Sequence, residues 1–403
     1  MVPRPPPGLA VAVVIAIILV IALLLVTAGV WMPNKAPANG VPTSGVPATS
    51  APDQAPLAEE PGARAAIAPL TLRLGHNMVE DSALHAAAAR YAREVEARSD
   101  GRIRIEVYPA SRLGNDLQMI EMAKQGSLDL LLSPTAKLSS DVPAIQFVDL
   151  PFYYDSRATL YAILDGEPGQ MLLDKLRPVG LVGVTFWGNG FKQFTANSPL
   201  RTPEDFHDLR FRVMKSRIII QQFRLLGATP VPIEFNATYQ ALADGAVDGQ
   251  ENPLVAIVGM RFYEVQSHLT LSHHGYLAYV LSISAKVFDQ LPDSARTLLI
   301  AVAEEVTQWE REETQRRDAD YLERVKAAGV TVTTLTAAER ERFVKALAVI
   351  PQRFETLIGA DLHAAIEDMR ADRENANTGS ASGSTSAGTS AGTSGNRNTT
   401  PVD

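Results

Sequence analysis

The sequence predicts an α/β protein of two lobes with a long helix spanning both. Three observations carry that reading. Strand and helix patterns alternate from residue 70 to residue 284 with short links. Glycines at 101, 126, 227 and 245 close the helical stretches. One helical pattern, from about Pro292 to Ala328, contains no glycine or proline. At ~1.5 Å per residue that helix exceeds about 50 Å, too long for a single compact lobe.

Thr71 to Leu74 reads as a short strand. Asp81-Ser82 can cap a helix running to about Ser99, with Leu84, Ala88, Tyr91 and Val95 on one face and Gly101 beyond its end. Arg102 to Tyr108 alternates strictly, with Ile103, Ile105 and Val107 on one side. A helix from about Gly114 stops at Gly126, and Leu128 to Leu132 forms a buried strand. Leu181 to Phe186, Phe191 to Ala196 and Leu209 to Val213 read as strands. Arg217 to Leu226 and Tyr239 to Ala243 read as helices, Tyr276 to Ser284 as a strand, and Ala337 to Met369 as a last helix. Strand, helix, strand with short links is the pattern of parallel α/β architecture, in which ligands sit in the crevice at strand C-termini.

The ends differ in composition. Leu9 to Val30 is an apolar run whose only hydroxyl is Thr27. As a helix it is long enough to cross a hydrocarbon core of about 30 Å. Residues 1–30 therefore read as a transmembrane anchor or a signal peptide, and the order Arg4, apolar run, Lys35 places the body outside the cytoplasm. Residues 31–68 form a Pro/Ala-rich linker. Residues 69–372 carry the folded body, with crossovers between lobes expected near 187–191 and 275–280. Residues 373–403 are a Ser/Gly/Thr-rich tail that reads as disordered.

Composition narrows the function. The net charge is -8, which argues against a nucleic-acid surface. With no cysteine, there is no disulfide, thiolate metal site or cysteine nucleophile. No phosphate-binding, dinucleotide, serine-hydrolase, zinc-protease or EF-hand motif occurs, and the seven histidines lack metal-ligand spacing. No catalytic group, metal or cofactor is expected.

Several blocks in order resemble one family. They are RIRIEVYPASRLGNDLQMIEMAKQGSLDLLL (102–132), FVDLPFYY (147–154), FWGNGFKQFTANSPLRTPEDFHDLRFRVM (186–214), LLGATPVPIEFNATYQALADGAVDGQENP (225–253) and FYEVQSHLTLSHHGY (262–276). Together they resemble the DctP-type solute-binding proteins of TRAP transporters over roughly residues 70–370. The resemblance implies a periplasmic-binding-protein-like fold, type II-like, whose lobes close on a small organic acid. It implies a protein of the periplasm or another extracytoplasmic space, held at the inner membrane if residues 9–30 are retained, that delivers its ligand to membrane permease subunits. A ligand-loaded sensor signalling to a membrane partner is the alternative.

The resemblance also nominates the site. Arg212 matches the family's strand arginine, whose planar guanidinium can grip a carboxylate with two parallel hydrogen bonds. Lys192 matches a second cation and Asn252 an orienting amide. Asn77 and Thr135, at strand ends, and the aromatic Trp187 and Phe191 are further candidate ligand contacts. The sequence lies nearest to members that take C4-dicarboxylates, with Lys192 as the cation for the second carboxylate.

Overall fold

The structure, a computed structural model, describes residues 68–369 apart from residue 155. The expected N-terminal anchor or signal peptide and the C-terminal tail lie outside the described residues, as does the linker up to residue 67. Among the described residues no helix is long and apolar enough to cross a membrane.

Among the described residues eleven strands form two sheets. The strands in chain order are β1 (Leu70–His76), β2 (Ile103–Tyr108), β3 (Leu130–Pro134), β4 (Leu181–Phe191), β5 (Gln193–Ala196), β6 (Arg210–Val213), β7 (Thr229–Pro232), β8 (Gly249–Asn252), β9 (His268–Leu271), β10 (Tyr276–Ser284) and β11 (Thr331–Thr334). The first lobe's sheet runs β2-β1-β3-β10-β4, and the second lobe's runs β11-β9-β5-β8-β6-β7. In the first, β1 lies parallel to β2 and β3, while β10 runs antiparallel to β3 and β4. In the second, β6 lies parallel to β7 and β8.

Local chemistry explains the connections. Ser82 caps the helix Ala83–Arg98 by accepting the His85 N–H. Asn115 and Gln118 form a capping box on Asp116–Gln125, and Gly126, at φ 80°, supplies the left-handed residue that ends it. These two helices return the chain between parallel strands and deliver the strand C-termini to one edge. The second lobe packs around Phe194, Phe206, Phe211 and Phe223. Phe211 stacks on Phe223 with ring centroids 4.4 Å apart, and Phe194 meets Phe206 edge-on at 4.9 Å.

The chain changes lobe at Lys192, between β4 and β5, and returns over residues 272–275, between β9 and β10. The two crossings lie side by side: the Lys192 N–H donates to the Gly275 carbonyl at 2.8 Å. The strand expected over 181–186 extends to Phe191, 11 residues in all, and the one expected from Phe191 starts at Gln193. The register of the longer strand shifts near Gly188, where an added Cβ would lie 2.3 Å from Tyr276 Oη. The expected helix 337–369 is broken into Ala337–Leu347 and Ile350–Ile358, with helical backbone again over 360–369; Gly359, at φ 99°, makes the second break.

The long helix spans Asp293–Ala327, 35 residues. Its first half packs on the first lobe, where Tyr91 Oη donates to the Leu299 carbonyl at 3.1 Å and Trp187 Nε1 to Thr307 Oγ1 at 3.1 Å. It also packs on the helix Leu254–Gly259, and its C-terminal end, bonded to Asp81 of the first lobe through Tyr321 and Arg324, leads into β11 of the second lobe. Midway, Glu310 is fully buried. It accepts the Gly188 N–H at 2.8 Å and the Thr314 hydroxyl at 2.8 Å. Burial raises its carboxyl to about 7, against the two hydrogen bonds and Arg311.

A carboxyl raised on folding favours the folded state while protonated. That stability is complete below the ordinary glutamate range and is lost as pH rises through about 7. Between pH 4.5 and 7 the wild type should lose roughly 3 kcal/mol relative to Glu310→Gln, whose amide oxygen can still accept the Gly188 N–H, whose amide N–H can donate to the Thr314 hydroxyl, and which does not titrate. Urea unfolding of both proteins across that range measures the difference; parallel curves would contradict it.

Candidate functional site

The ends of the central strands meet between the lobes. From the first lobe come Asn77 and Met78 beyond β1, Asp116 at the first turn of its helix, Pro134 ending β3, Lys137 in the short helix Thr135–Leu138, Asn189 on β4, and Leu277 and Tyr279 on β10. The second lobe contributes Arg212 on β6, Met214, Phe235, Asn252 ending β8, and Ala256. These residues enclose a narrow, nearly closed cavity of about 10 Å³.

Strand alternation aims Arg212. Phe211 points into the aromatic core, while Arg210 lies outside, with Nε and Nη2 both on the Asp248 carboxylate at 3.1 and 2.8 Å. Arg212 is only 1% exposed. Its Nε and Nη2 donate to a single acceptor, the Ile233 carbonyl, at 3.0 and 2.8 Å, and neither bond uses Nη1. Among the described residues no carboxylate comes within 4.0 Å of it. Burial holds the guanidinium below its ordinary value, against the more distant Glu251, Asp116 and Glu234. A buried cation without an ion-pair partner is costly, and an entering carboxylate offsets that cost.

The first-lobe wall is a connected polar chain. Tyr279 Oη donates to Asn77 Oδ1 at 2.9 Å, and Asn77 Nδ2 donates to Asp116 Oδ2 at 3.1 Å. Lys137 Nζ lies 4.0 Å from that same oxygen and 2.7 Å from Glu234 Oε2 of the second lobe, so this ion pair bridges the lobes. Burial raises the Asp116 carboxyl, with Lys137 and Asn77 opposing. Asn252 is positioned by donating to Gln250 Oε1 at 2.6 Å.

Of the residues nominated from sequence, Arg212, Asn252 and Asn77 line the cavity together. The other four do not. Lys192 is turned under the crossover, where its ammonium lies 3.2 Å from Glu251 and 3.7 Å from Asp149. Two buried carboxylates need a cation at that point, which is why the side chain turns away from the cavity. Burial raises Asp149 to about 6, against Lys192. Burial also acts to raise Glu251, but Lys192 and His274 outweigh it and leave that carboxyl below its ordinary value. Thr135 opens its short helix behind Pro134, fully buried. Trp187 packs edge-on to Tyr91 in the first-lobe core, with its N–H spent on Thr307. Phe191 packs edge-on to Tyr276 and His273 beside the crossover.

Sequence reasoning missed Asp116, Lys137, Asn189 and Tyr279. One signal was available: Lys137 is the only charge between Leu130 and Leu138, so a lysine interrupts a run otherwise suited to burial. A larger groove of about 340 Å³ lies on the first lobe beside the long helix. It is open surface, and its Arg311 is already paired with Asp165 at 2.6 Å.

Two α/β lobes joined by paired crossovers, closed over a buried cation without an ion pair, define a solute-binding protein. The sequence profile of the bacterial extracellular solute-binding proteins, family 7 (DctP), matches residues 74–357. The C4-dicarboxylate-binding periplasmic protein DctP of Rhodobacter capsulatus is 33% identical over 306 residues, 75% of this chain and 92% of that protein. A TRAP periplasmic solute-binding protein from Sulfurospirillum deleyianum, solved with bound succinate, superposes with a TM-score of 0.71 at 33% identity, covering 76% of this chain and 99% of that one. The sugar acid binding protein DctPAm from Advenella mimigardefordensis, solved with galactonate, gives 0.73 at 32% identity, with coverage of 76% and 99%. The chain belongs to the DctP family of TRAP solute-binding proteins.

The role of Lys192 can be tested directly. Replacing it by alanine leaves Glu251 and Asp149 buried without their cation, and should destabilise the fold by about 3–5 kcal/mol in chemical denaturation. A loss below about 1 kcal/mol, the range of an exposed pair, would contradict the structural role.

Proposed function

We propose that this chain is the extracytoplasmic binding component of a TRAP-type transporter, capturing a small organic acid by its carboxylate and delivering it to membrane permease subunits. The observation that carries the reading is Arg212: a guanidinium 1% exposed, in a cavity between two lobes, with a carbonyl oxygen as its recorded partner. The carboxylate of the ligand takes the free side of the fork, with Asn252 beside it as donor or acceptor. Closure of the lobes excludes water and strengthens the pair, and goes only as far as the ligand prefers the closed state. No bond is broken in this cycle and no cofactor takes part. The periplasmic names of relatives support an extracytoplasmic body, and the order of Arg4, the apolar run and Lys35 agrees with it.

Relatives with succinate and with galactonate set the range of ligands to consider, from a plain C4-dicarboxylate to a polyhydroxy monocarboxylate. Both present a carboxylate that Arg212 suits.

Isothermal titration of the full chain against a panel of such acids tests the reading. An acid that binds wild type should lose at least about thirtyfold in affinity with Arg212→Ala, because truncating one partner of a buried charge pair costs 2–5 kcal/mol or more. Arg212→Lys should fall between, keeping the charge but losing the fork. Equal affinity of wild type and Arg212→Ala would sink the assignment of that residue.

A further inference from the structure

The wall facing Arg212 carries a charge balance and an unmet hydrogen bond that together narrow the ligand. Lys137 is its only cation. That ammonium is already met by two carboxylates, Glu234 at 2.7 Å and Asp116 at 4.0 Å. One positive and two negative charges leave this wall negative. A second carboxylate on the ligand would enter beside Asp116 with no cation to receive it. Lys192, the other lysine considered for that task, is spent on Glu251 and Asp149.

Asp116 also presents one oxygen with nothing to accept. The residue is 2% exposed. Its Oδ2 takes the Asn77 amide N–H and faces Lys137, but Oδ1 has no hydrogen-bond partner among the described residues. An ionised carboxylate is acceptor-only, so the missing partner must be a donor. Asn77 holds Asp116 in this role: its own carbonyl oxygen is taken by the Tyr279 hydroxyl, which turns the Asn77 amide N–H toward Asp116. Met78, Met214, Phe235 and Leu277 make up apolar wall between these polar groups, which suits a short carbon chain.

On the carboxylate-capture reading above, we propose that the site selects a short hydroxy-substituted monocarboxylate, its carboxylate on Arg212 and a hydroxyl donating to Asp116 Oδ1, over an unsubstituted dicarboxylate of the same length. Asp116 is then the residue that decides between these classes. Lys137 is a positioning residue that faces Asp116 and links it to Glu234 of the second lobe.

Titration calorimetry on the full chain at neutral pH, with three four-carbon probes, tests this. Succinate carries the second carboxylate, 4-hydroxybutyrate replaces it by a hydroxyl, and threonate adds hydroxyls along the chain. At least one hydroxy acid should bind about tenfold or more tighter than succinate, the scale of one hydrogen bond to a charged group. Asp116→Asn, which removes the charge in a side chain of the same shape, should weaken that hydroxy acid by about tenfold and narrow its lead over succinate. Succinate binding as tightly as both hydroxy acids, or an unchanged preference in a folded Asp116→Asn protein, overturns the proposal and leaves carboxylate capture standing. Failure of all three probes and of a wider acid panel to bind overturns carboxylate capture, and this proposal with it.

Discussion

Arg212 brings a permanent charge into a closed space where the described residues provide a carbonyl oxygen and no ion pair. Much of the surrounding structure balances that charge at a distance. Glu251, on the strand next to β6, contributes most among the carboxylates, and it in turn is held by Lys192 and His274. Lys192 reaches Asp149 as well. The result is a buried relay of alternating sign beneath the crossover, with its positive end open to the cleft. Such a cluster contributes little net stability when complete and costs several kcal/mol when broken. Its value lies in presenting at one place a guanidinium that is balanced only at a distance.

The same economy of charge governs the way the lobes are joined. The crossovers are tied by backbone at Lys192 and Gly275. The long helix is pinned to β4 through the buried Glu310, and the cavity is spanned by Lys137 reaching Glu234. Rigid elements connected by a few short segments are what hinge closure requires, since packed cores do not deform continuously. In the bridge from Lys137 to Glu234 the Glu234 side chain is 30% exposed, so water can compete for it.

The fold was largely legible because its signals are local. Apolar alternation marks β2, the cap at Asp81-Ser82 and the closing glycines mark helix ends, and an uninterrupted run marks the 35-residue helix. The second lobe's short strands were harder. β7, Thr229–Pro232, contains two prolines and is allowed only because it lies at the sheet edge. β8, Gly249–Asn252, is fully buried yet polar throughout, because its neighbours and the cleft satisfy its side chains. No periodicity announces such a strand.

By itself the sequence determined the lobes, the spanning helix and the family, and through the family resemblance it nominated the arginine, because each is written in a contiguous pattern or a motif. Tertiary structure decided what each charge does. Lys192 and Lys137 are both lysines just past strand ends, and nothing local separates them. One faces two buried carboxylates under the crossover, and the other reaches the cavity wall. Which carboxylates surround an ammonium depends on residues far apart in the chain, Glu251 and Asp149 for one, Asp116 and Glu234 for the other. Coulomb interactions follow distance in space, so the assignment of charges waits on the fold.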